Sequence, residues 1–275
     1  MGRSVSDTVV CLHSNASSSA QWRGLVGQLG ARFQMRTCDG YGVGSSPDWP
    51  RDLPARLAEE VRLLEPVFDQ AGDRLHLVGH SYGGAVALVA ASLLGRRVRS
   101  VAVYEPTLFS LVAGNDPRHS AVAGIWRAAT DAAESFQRGD AEAAGRCFVD
   151  FWSADGTWAA MPDFRKAAVR AAIRHVGRWR DATFAPELLS TAFTTIEAPV
   201  LLMWGERSPE SSLSVVAPLA AMLQRVICAP LAGLGHMGPI ADPERVNARI
   251  EAFLDLHRAP TPGNTAATSI DARVL

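Results

Sequence analysis

The sequence predicts an α/β fold: a mostly parallel sheet of about six strands with helices on both faces. Three observations predict it. Apolar runs of strand length recur along the chain, as in Val9–Leu12, Val98–Tyr104 and Pro199–Trp204, and such runs mark strands covered on both faces. Segments with apolar residues at helical spacing stand between them. Loops rich in glycine, serine or acidic residues follow the strands, at the carboxyl ends where ligands bind in such sheets.

Taken in order, Thr8-Val9-Val10-Cys11-Leu12 is the first strand, ending at His13-Ser14-Asn15 and a Ser-rich loop. Ser17, Ser18 or Ser19 is placed to cap a helix holding Trp22, Leu25, Val26 and Leu29, which Gly30 stops. Phe33 to Cys38 reads as the second strand and leads into Asp39-Gly40-Tyr41-Gly42-Val43-Gly44-Ser45, too rich in glycine to be regular. Asp39 is expected to bind amides of that turn. Asp52 with Pro54 should start the next helix, whose apolar positions are Leu53, Leu57, Val61, Leu64 and Phe68; Pro66 should kink it or end it early. The third strand, Leu75 to Val78, meets Gly79-His80-Ser81-Tyr82-Gly83-Gly84 and then a helix of small and aliphatic residues. The fourth, Val98 to Tyr104, runs directly into Glu105-Pro106.

The segment from about 107 to 195 is helical in flavour, carries Trp126, Trp152, Trp158 and Trp179, and lacks strand alternation. The fifth strand, Pro199 to Trp204, turns through Gly205-Glu206-Arg207-Ser208, with Ser208 expected as N-cap of a helix that Pro209 begins. Arg225 to Cys228 is a short sixth strand, followed by Gly233-Leu234-Gly235-His236-Met237. Asp242-Pro243 caps the last helix, which shows Val246, Ile250 and Leu254 on one face, and a disordered tail is expected from Pro260.

Composition excludes several classes of function. With 48% apolar residues and a net charge of −1, the 275-residue chain has ample core and no basic stripe, so nucleic acid is not an expected partner. No apolar run reaches the roughly 18 residues of a membrane span, and the polar start MGRSVSD is not a secretory signal. Cys11, Cys38, Cys147 and Cys228 show no metal-like spacing. Three of them fall in strands as small buried hydrophobes, and all four read as reduced, in a cytoplasmic protein. No metal or cofactor is expected.

The chemistry concentrates at Ser81. In G-x-S-x-G between a strand and a helix, the serine sits on a turn so tight that residues two before and two after it must be nearly free of side chain. The turn exposes Oγ and aims the Tyr82 N–H and the helix N-terminus at whatever Ser81 attacks. A serine hydroxyl needs a base and a group to orient that base. Of seven histidines, His236 lies in a glycine-flanked loop after the last strand, free to swing toward Ser81. His13 and His80 sit at strand ends near the site, His76 lies inside a strand, His119 and His175 belong to the insert, and His257 ends the final helix.

Together, His13-Ser14-Asn15, the Asp39–Ser45 loop, the elbow at Ser81 and Gly235-His236-Met237 resemble the α/β-hydrolases over about residues 5 to 257. The order Ser, acid, His is also theirs. The resemblance implies that Ser81 attacks a carbonyl, that His236 takes and returns its proton, and that N–H groups of Tyr82 and of Asn15 or a neighbour hold the oxyanion. It divides the chain into core at 1–106 and 196–258, a helical cap at 107–195 and a tail at 259–275. The cap tryptophans are then either pocket lining or ordinary cap core.

Three departures from the family stand out. Ser14 replaces a usual glycine, the N-terminal strand pair is missing, and Ser208 stands where Gly-x-x-Asp would place the acid. Some relatives carry the acid after the preceding strand, and there this chain has Glu105, the preferred candidate. Glu206 is the runner-up; Glu210 and Asp242 follow, the latter already explained by capping. The expected function is a cofactor-independent serine hydrolase of a small ester, thioester or lactone. The alternatives are carbon–carbon bond hydrolysis with the same residues, or a binding protein without turnover. Haloalkane dehalogenase and epoxide hydrolase chemistries are disfavoured, because they need a carboxylate nucleophile and position 81 is serine.

Overall fold

Alternating strands and helices build the computed structural model of the chain, which describes residues 7–185 and 190–259. The first half contains β1 (Thr8–Leu12), α1 (Arg23–Leu29), β2 (Gln34–Cys38), α2 (Leu57–Leu63), α3 (Glu65–Ala71), β3 (Leu75–His80), α4 (Tyr82–Leu94) and β4 (Val98–Tyr104). A helical insert follows: α5 (Ser110–Ala113), α6 (Ser120–Gln137), α7 (Ala141–Trp152), α8 (Thr157–Ala160), α9 (Asp163–Ala172), α10 (Val176–Phe184) and α11 (Ser190–Thr194). The chain closes with β5 (Val200–Gly205), α12 (Glu210–Met222), β6 (Val226–Leu231), α13 (Gly238–Ala241) and α14 (Pro243–His257).

The six strands form one sheet, ordered β2-β1-β3-β4-β5-β6, and every pairing is parallel. Side chains alternate across a strand, so a doubly covered sheet needs apolar residues at every position, and β1 and β3 are buried throughout. Val10, Leu12, Leu77, Val101 and Leu202 face the core that holds α2, α3, α4 and α12. Val9, Cys11, Val78, Ala102 and Met203 face the other core, closed by Leu25 and Leu29 of α1 and by Val246, Ile250 and Phe253 of α14. α4 runs down the centre of the first core and is buried from Tyr82 to Ala91, which explains its alanines and valines on every side.

Several boundaries differ from expectation. The helix expected from Asp52 and Pro54 begins only at Leu57, because residue 56 is still extended and Leu53 closes a turn on Pro50. It breaks at Leu64, two residues before Pro66, as the ring requires. β6 runs on to Leu231 and tolerates Pro230 because it is an edge strand. On that edge Cys228 is exposed, not buried; all four cysteines are free. No serine side chain caps the turn before α1; the Ser19 N–H donates to Asp39 Oδ1 at 2.6 Å, so Asp39 binds the neighbouring loop and not its own turn. The tail expected from Pro260 lies outside the described residues.

Candidate active site

β3 delivers Ser81 at φ 56°, ψ −119°, and α4 starts at the next residue. Positive φ on a serine costs about 1–3 kcal/mol and persists only where surrounding bonds over-determine it. Here the Ser81 N–H donates to the Tyr104 carbonyl at 2.9 Å, and the Ser81 carbonyl accepts from the amides of Ala85 (3.0 Å) and Thr107 (3.2 Å). Steric crowding explains the flanking glycines. A Cβ on Gly79 would lie 2.4 Å from the Gly83 carbonyl oxygen, and one on Gly83 would lie 2.4 Å from those of Leu12 and His13.

The structure brings Ser81, His236 and Glu105 into one hydrogen-bonded series. Ser81 Oγ is 2.9 Å from His236 Nε2, and His236 Nδ1 is 2.6 Å from Glu105 Oε2. All three side chains are buried. Burial alone would raise the Glu105 carboxyl. The hydrogen bond and charge of His236, the Ser208 hydroxyl and the Gly205 amide outweigh that and hold it below the ordinary carboxylate range. An ionised carboxylate only accepts, so Nδ1 carries the ring proton and Nε2 is bare toward the serine hydroxyl. Ser212 Oγ, 3.3 Å from Nδ1, shares that proton weakly.

Glu105 reaches this place from the end of β4 with φ 46°, a left-handed conformation that turns its side chain across the strand tops. Its other oxygen accepts from the Gly205 amide at 2.8 Å and from the Ser208 hydroxyl. Ser208 is therefore not the helix cap expected of it: α12 begins at Glu210, with Pro209 in the capping position and no side-chain cap bond. Glu206 and Glu210 are exposed, and Asp242 caps α14 by accepting from the Arg245 amide. None of these three is bonded to His236.

His236 is not free to swing. The Tyr104 hydroxyl donates to the Gly235 carbonyl at 2.8 Å, and His80 Nε2 lies 2.8 Å from the His236 carbonyl. The residues just before the acid and just before the serine thus grip the loop that carries the imidazole. Trp152, from the end of α7, stacks on the other side of the ring, with centroids 3.9 Å apart and planes at 26°.

As first residue of α4, Tyr82 has an N–H without an intrahelical acceptor beside Ser81. In the first loop the Ser14 N–H is already given to Gln21 Oε1 at 3.1 Å, and Asn15, the next residue, lines the cavity beside Ser81. Ser14 does not adopt positive φ; that conformation falls at Ala16, φ 55°, so the glycine usual at position 14 is not required. His13 holds the loop's flank, its Nδ1 2.7 Å from the Ser14 carbonyl and its Nε2 accepting from the Gly40 amide at 3.2 Å.

A cavity of about 780 Å³ opens over Ser81 and His236. Phe109, Phe148, Trp152, Trp179 and Phe184 give it an aromatic wall, and Asn15 and Thr107 lie among its polar lining. Of the four insert tryptophans, Trp152 and Trp179 line this cavity. Trp158 is packed against Gly145, and Trp126 lies under Arg180. Sequence reasoning did not single out Gln21 or the His80 contact, and read Ser208 only as a cap. Position 80, next to the nucleophile, was the one available signal.

A strand-turn-helix serine, a histidine after the last strand and this parallel sheet are the features of one class, and the chain belongs to the alpha/beta hydrolase family, whose model matches residues 9–249. Among curated proteins it is similar to a haloalkane dehalogenase of Agrobacterium fabrum, 36% identical over 103 residues. That stretch is 36% of this chain and 33% of the relative, so the match spans about a third of the relative's length. Among solved structures it resembles MGS-M2, an alpha/beta hydrolase from a Medee basin deep-sea metagenome library. The TM-score is 0.77 at 16% identity, covering 95% of this chain and 94% of that one. It also resembles carboxylesterase CesB of Bacillus subtilis, with TM-score 0.68 at 19% identity over 92% and 85% of the two chains. At these identities the structural likeness concerns the fold.

No helix among the described residues is long and apolar enough to cross a membrane.

Proposed function

We propose that the protein is a cofactor-independent serine hydrolase that cleaves a small ester, thioester or lactone through an acyl-enzyme. The observation that carries this reading is the unbroken series Ser81 Oγ–His236–Glu105, at 2.9 and 2.6 Å, on the floor of a largely apolar cavity. Ser81 attacks the carbonyl carbon while His236 Nε2 takes the hydroxyl proton. Glu105 holds the ring in the tautomer that can accept, and stabilises the imidazolium that forms. The N–H groups of Tyr82 and Asn15 receive the oxyanion. The imidazolium then protonates the departing alcohol or thiol, and a water, deprotonated by the same nitrogen, releases the acid. The insert at 107–195 acts as a cap that shapes the cavity and shields the imidazole through Trp152.

Neither Ser14 nor Ser208 weighs in favour of a binding protein without turnover, since Ser14 needs no positive φ and Ser208 serves Glu105. Serine at position 81, not a carboxylate, argues against halide displacement despite the dehalogenase similarity. Incubation with a fluorophosphonate probe and short p-nitrophenyl esters tests the proposal. Labelling and turnover that both vanish in Ser81→Ala are expected; ligand binding with neither would overturn it.

A further inference from the structure

We propose that Gln21 and His80 form a brace that sets the oxyanion loop and the His236 loop in register, which makes both of them positioning residues. This inference rests on the hydrolase reading above and extends it to residues outside the Ser81–His236–Glu105 series.

Donor and acceptor matching fixes the brace completely. The Ser14 N–H, which can only donate, is 3.1 Å from Gln21 Oε1, and the Ser14 hydroxyl donates to the same oxygen at 3.0 Å. The carbonyl end of the Gln21 amide is therefore committed to Ser14. Its NH2 end faces His80 Nδ1 at 3.1 Å, and because an amide nitrogen only donates, Nδ1 must accept. The single ring proton of His80 is then on Nε2, which donates to the His236 carbonyl at 2.8 Å. Each bond of the chain Ser14–Gln21–His80–His236 sets a donor against an acceptor, all pointing the same way. His80 is fully buried, and burial, reinforced by the neighbouring His236, pushes its pKa down to about 3, so the neutral form this pattern needs is the form present. Protonation would set an N–H of Nδ1 against the Gln21 NH2.

The consequence is geometric. Gln21 pins the Ser14 N–H and hydroxyl, and so holds the His13–Ser14 peptide plane and the Cα from which the next plane extends; that next plane, which carries the Asn15 N–H, is held at its Ser14 carbonyl by His13 Nδ1 at 2.7 Å. Pinning the His236 carbonyl fixes the backbone from which the imidazole extends. A side chain serving only as packing would be replaceable by one of equal shape. Gln21→Glu has that shape and keeps an acceptor for Ser14, yet offers His80 Nδ1 no donor. The ring proton should then move to Nδ1, and the His236 carbonyl loses its partner.

The test measures kcat and KM for p-nitrophenyl butyrate in wild type, Gln21→Glu and Ser81→Ala, with nitrogen-15 NMR of the His80 ring between pH 5 and 8. For Gln21→Glu, kcat should fall about ten- to hundred-fold with KM within about threefold, as expected for misaligned groups and unaltered ground-state binding. The wild-type spectrum should show the Nε2–H tautomer throughout. A kcat for Gln21→Glu within twofold of wild type, or a wild-type His80 carrying its proton on Nδ1, overturns the brace while leaving the hydrolase reading intact. If Gln21→Glu does not fold, the wild-type tautomer alone decides. Wild-type protein with neither turnover nor probe labelling overturns the hydrolase reading, and the brace as a positioning device falls with it.

Discussion

Glu105→Gln is the perturbation that most directly probes the proposed mechanism. In the native site one Glu105 oxygen accepts from the Gly205 amide and the Ser208 hydroxyl, and the other faces His236 Nδ1 at 2.6 Å. A glutamine fits the same space, and the Gly205 N–H requires that its carbonyl oxygen take the first of these positions. The NH2 group is then forced onto His236. An NH2 only donates, so Nδ1 must become the bare nitrogen and the ring proton must shift to Nε2, the atom that has to accept from Ser81. Loss of the correct tautomer in this way costs up to about 10⁴-fold in kcat. That factor corresponds to about 5 kcal/mol of transition-state stabilisation. The anchoring bonds to Gly205 and Ser208 survive, so the melting temperature should change far less than the rate. The assay is p-nitrophenyl butyrate hydrolysis from pH 6 to 9 alongside a thermal melt. A folded Glu105→Gln protein within tenfold of wild-type kcat would refute the assignment of Glu105 as the orienting acid.

Three further outcomes follow from the packing around this site. Glu60 is buried beneath the elbow, and burial, outweighing bonds from the Tyr41 amide and Tyr82 hydroxyl, raises its pKa from 4.5 to about 7. The folded protein therefore keeps a proton that the unfolded chain has released, and stability falls as pH rises through that window, by about 3 kcal/mol in all. Glu60→Gln should match wild type near pH 5 and melt about 6–12 °C higher at pH 8; parallel melting curves across this range would refute the burial argument. Gly83→Ala drives a Cβ to within 2.4 Å of two backbone carbonyls, and urea unfolding should show a loss of about 3 kcal/mol or more. Thr107 is buried, and among the described residues its Oγ1 has no hydrogen-bond partner, so Thr107→Val should raise stability by about 1 kcal/mol in a thermal melt. A destabilised valine variant would mean that the hydroxyl is paired.

The sheet was readable because doubly covered strands leave little room for polar residues. Val9–Leu12, Val98–Tyr104 and Val200–Met203 announce themselves by composition alone. The elbow was equally readable, since the glycines at 79 and 83 are demanded by clashes with specific carbonyls. What sequence could not supply was contact across distant loops. Nothing local to Ser208 says that its hydroxyl turns to Glu105, 103 positions away, in preference to capping its own helix. The late start of α2 escaped for a related reason: Pro54 and Leu53 fit a helical pattern, but the chain stays extended through Arg56 before α2 begins. Glu105 itself was named from its place at a strand end, while the left-handed backbone that lets it reach His236 carries no residue signature, because non-glycine residues seldom adopt it.

The meeting of Glu105 and Ser208 also bears on how such a site can change hands. Carboxylate and hydroxyl come from neighbouring strand tops, and both point at one small volume beside the imidazole. That volume has to hold a negative charge, but it is indifferent to which strand provides it. An acid could be lost from one address and gained at the other with the nucleophile and base undisturbed, and the vacated position needs only a short donor to fill the gap.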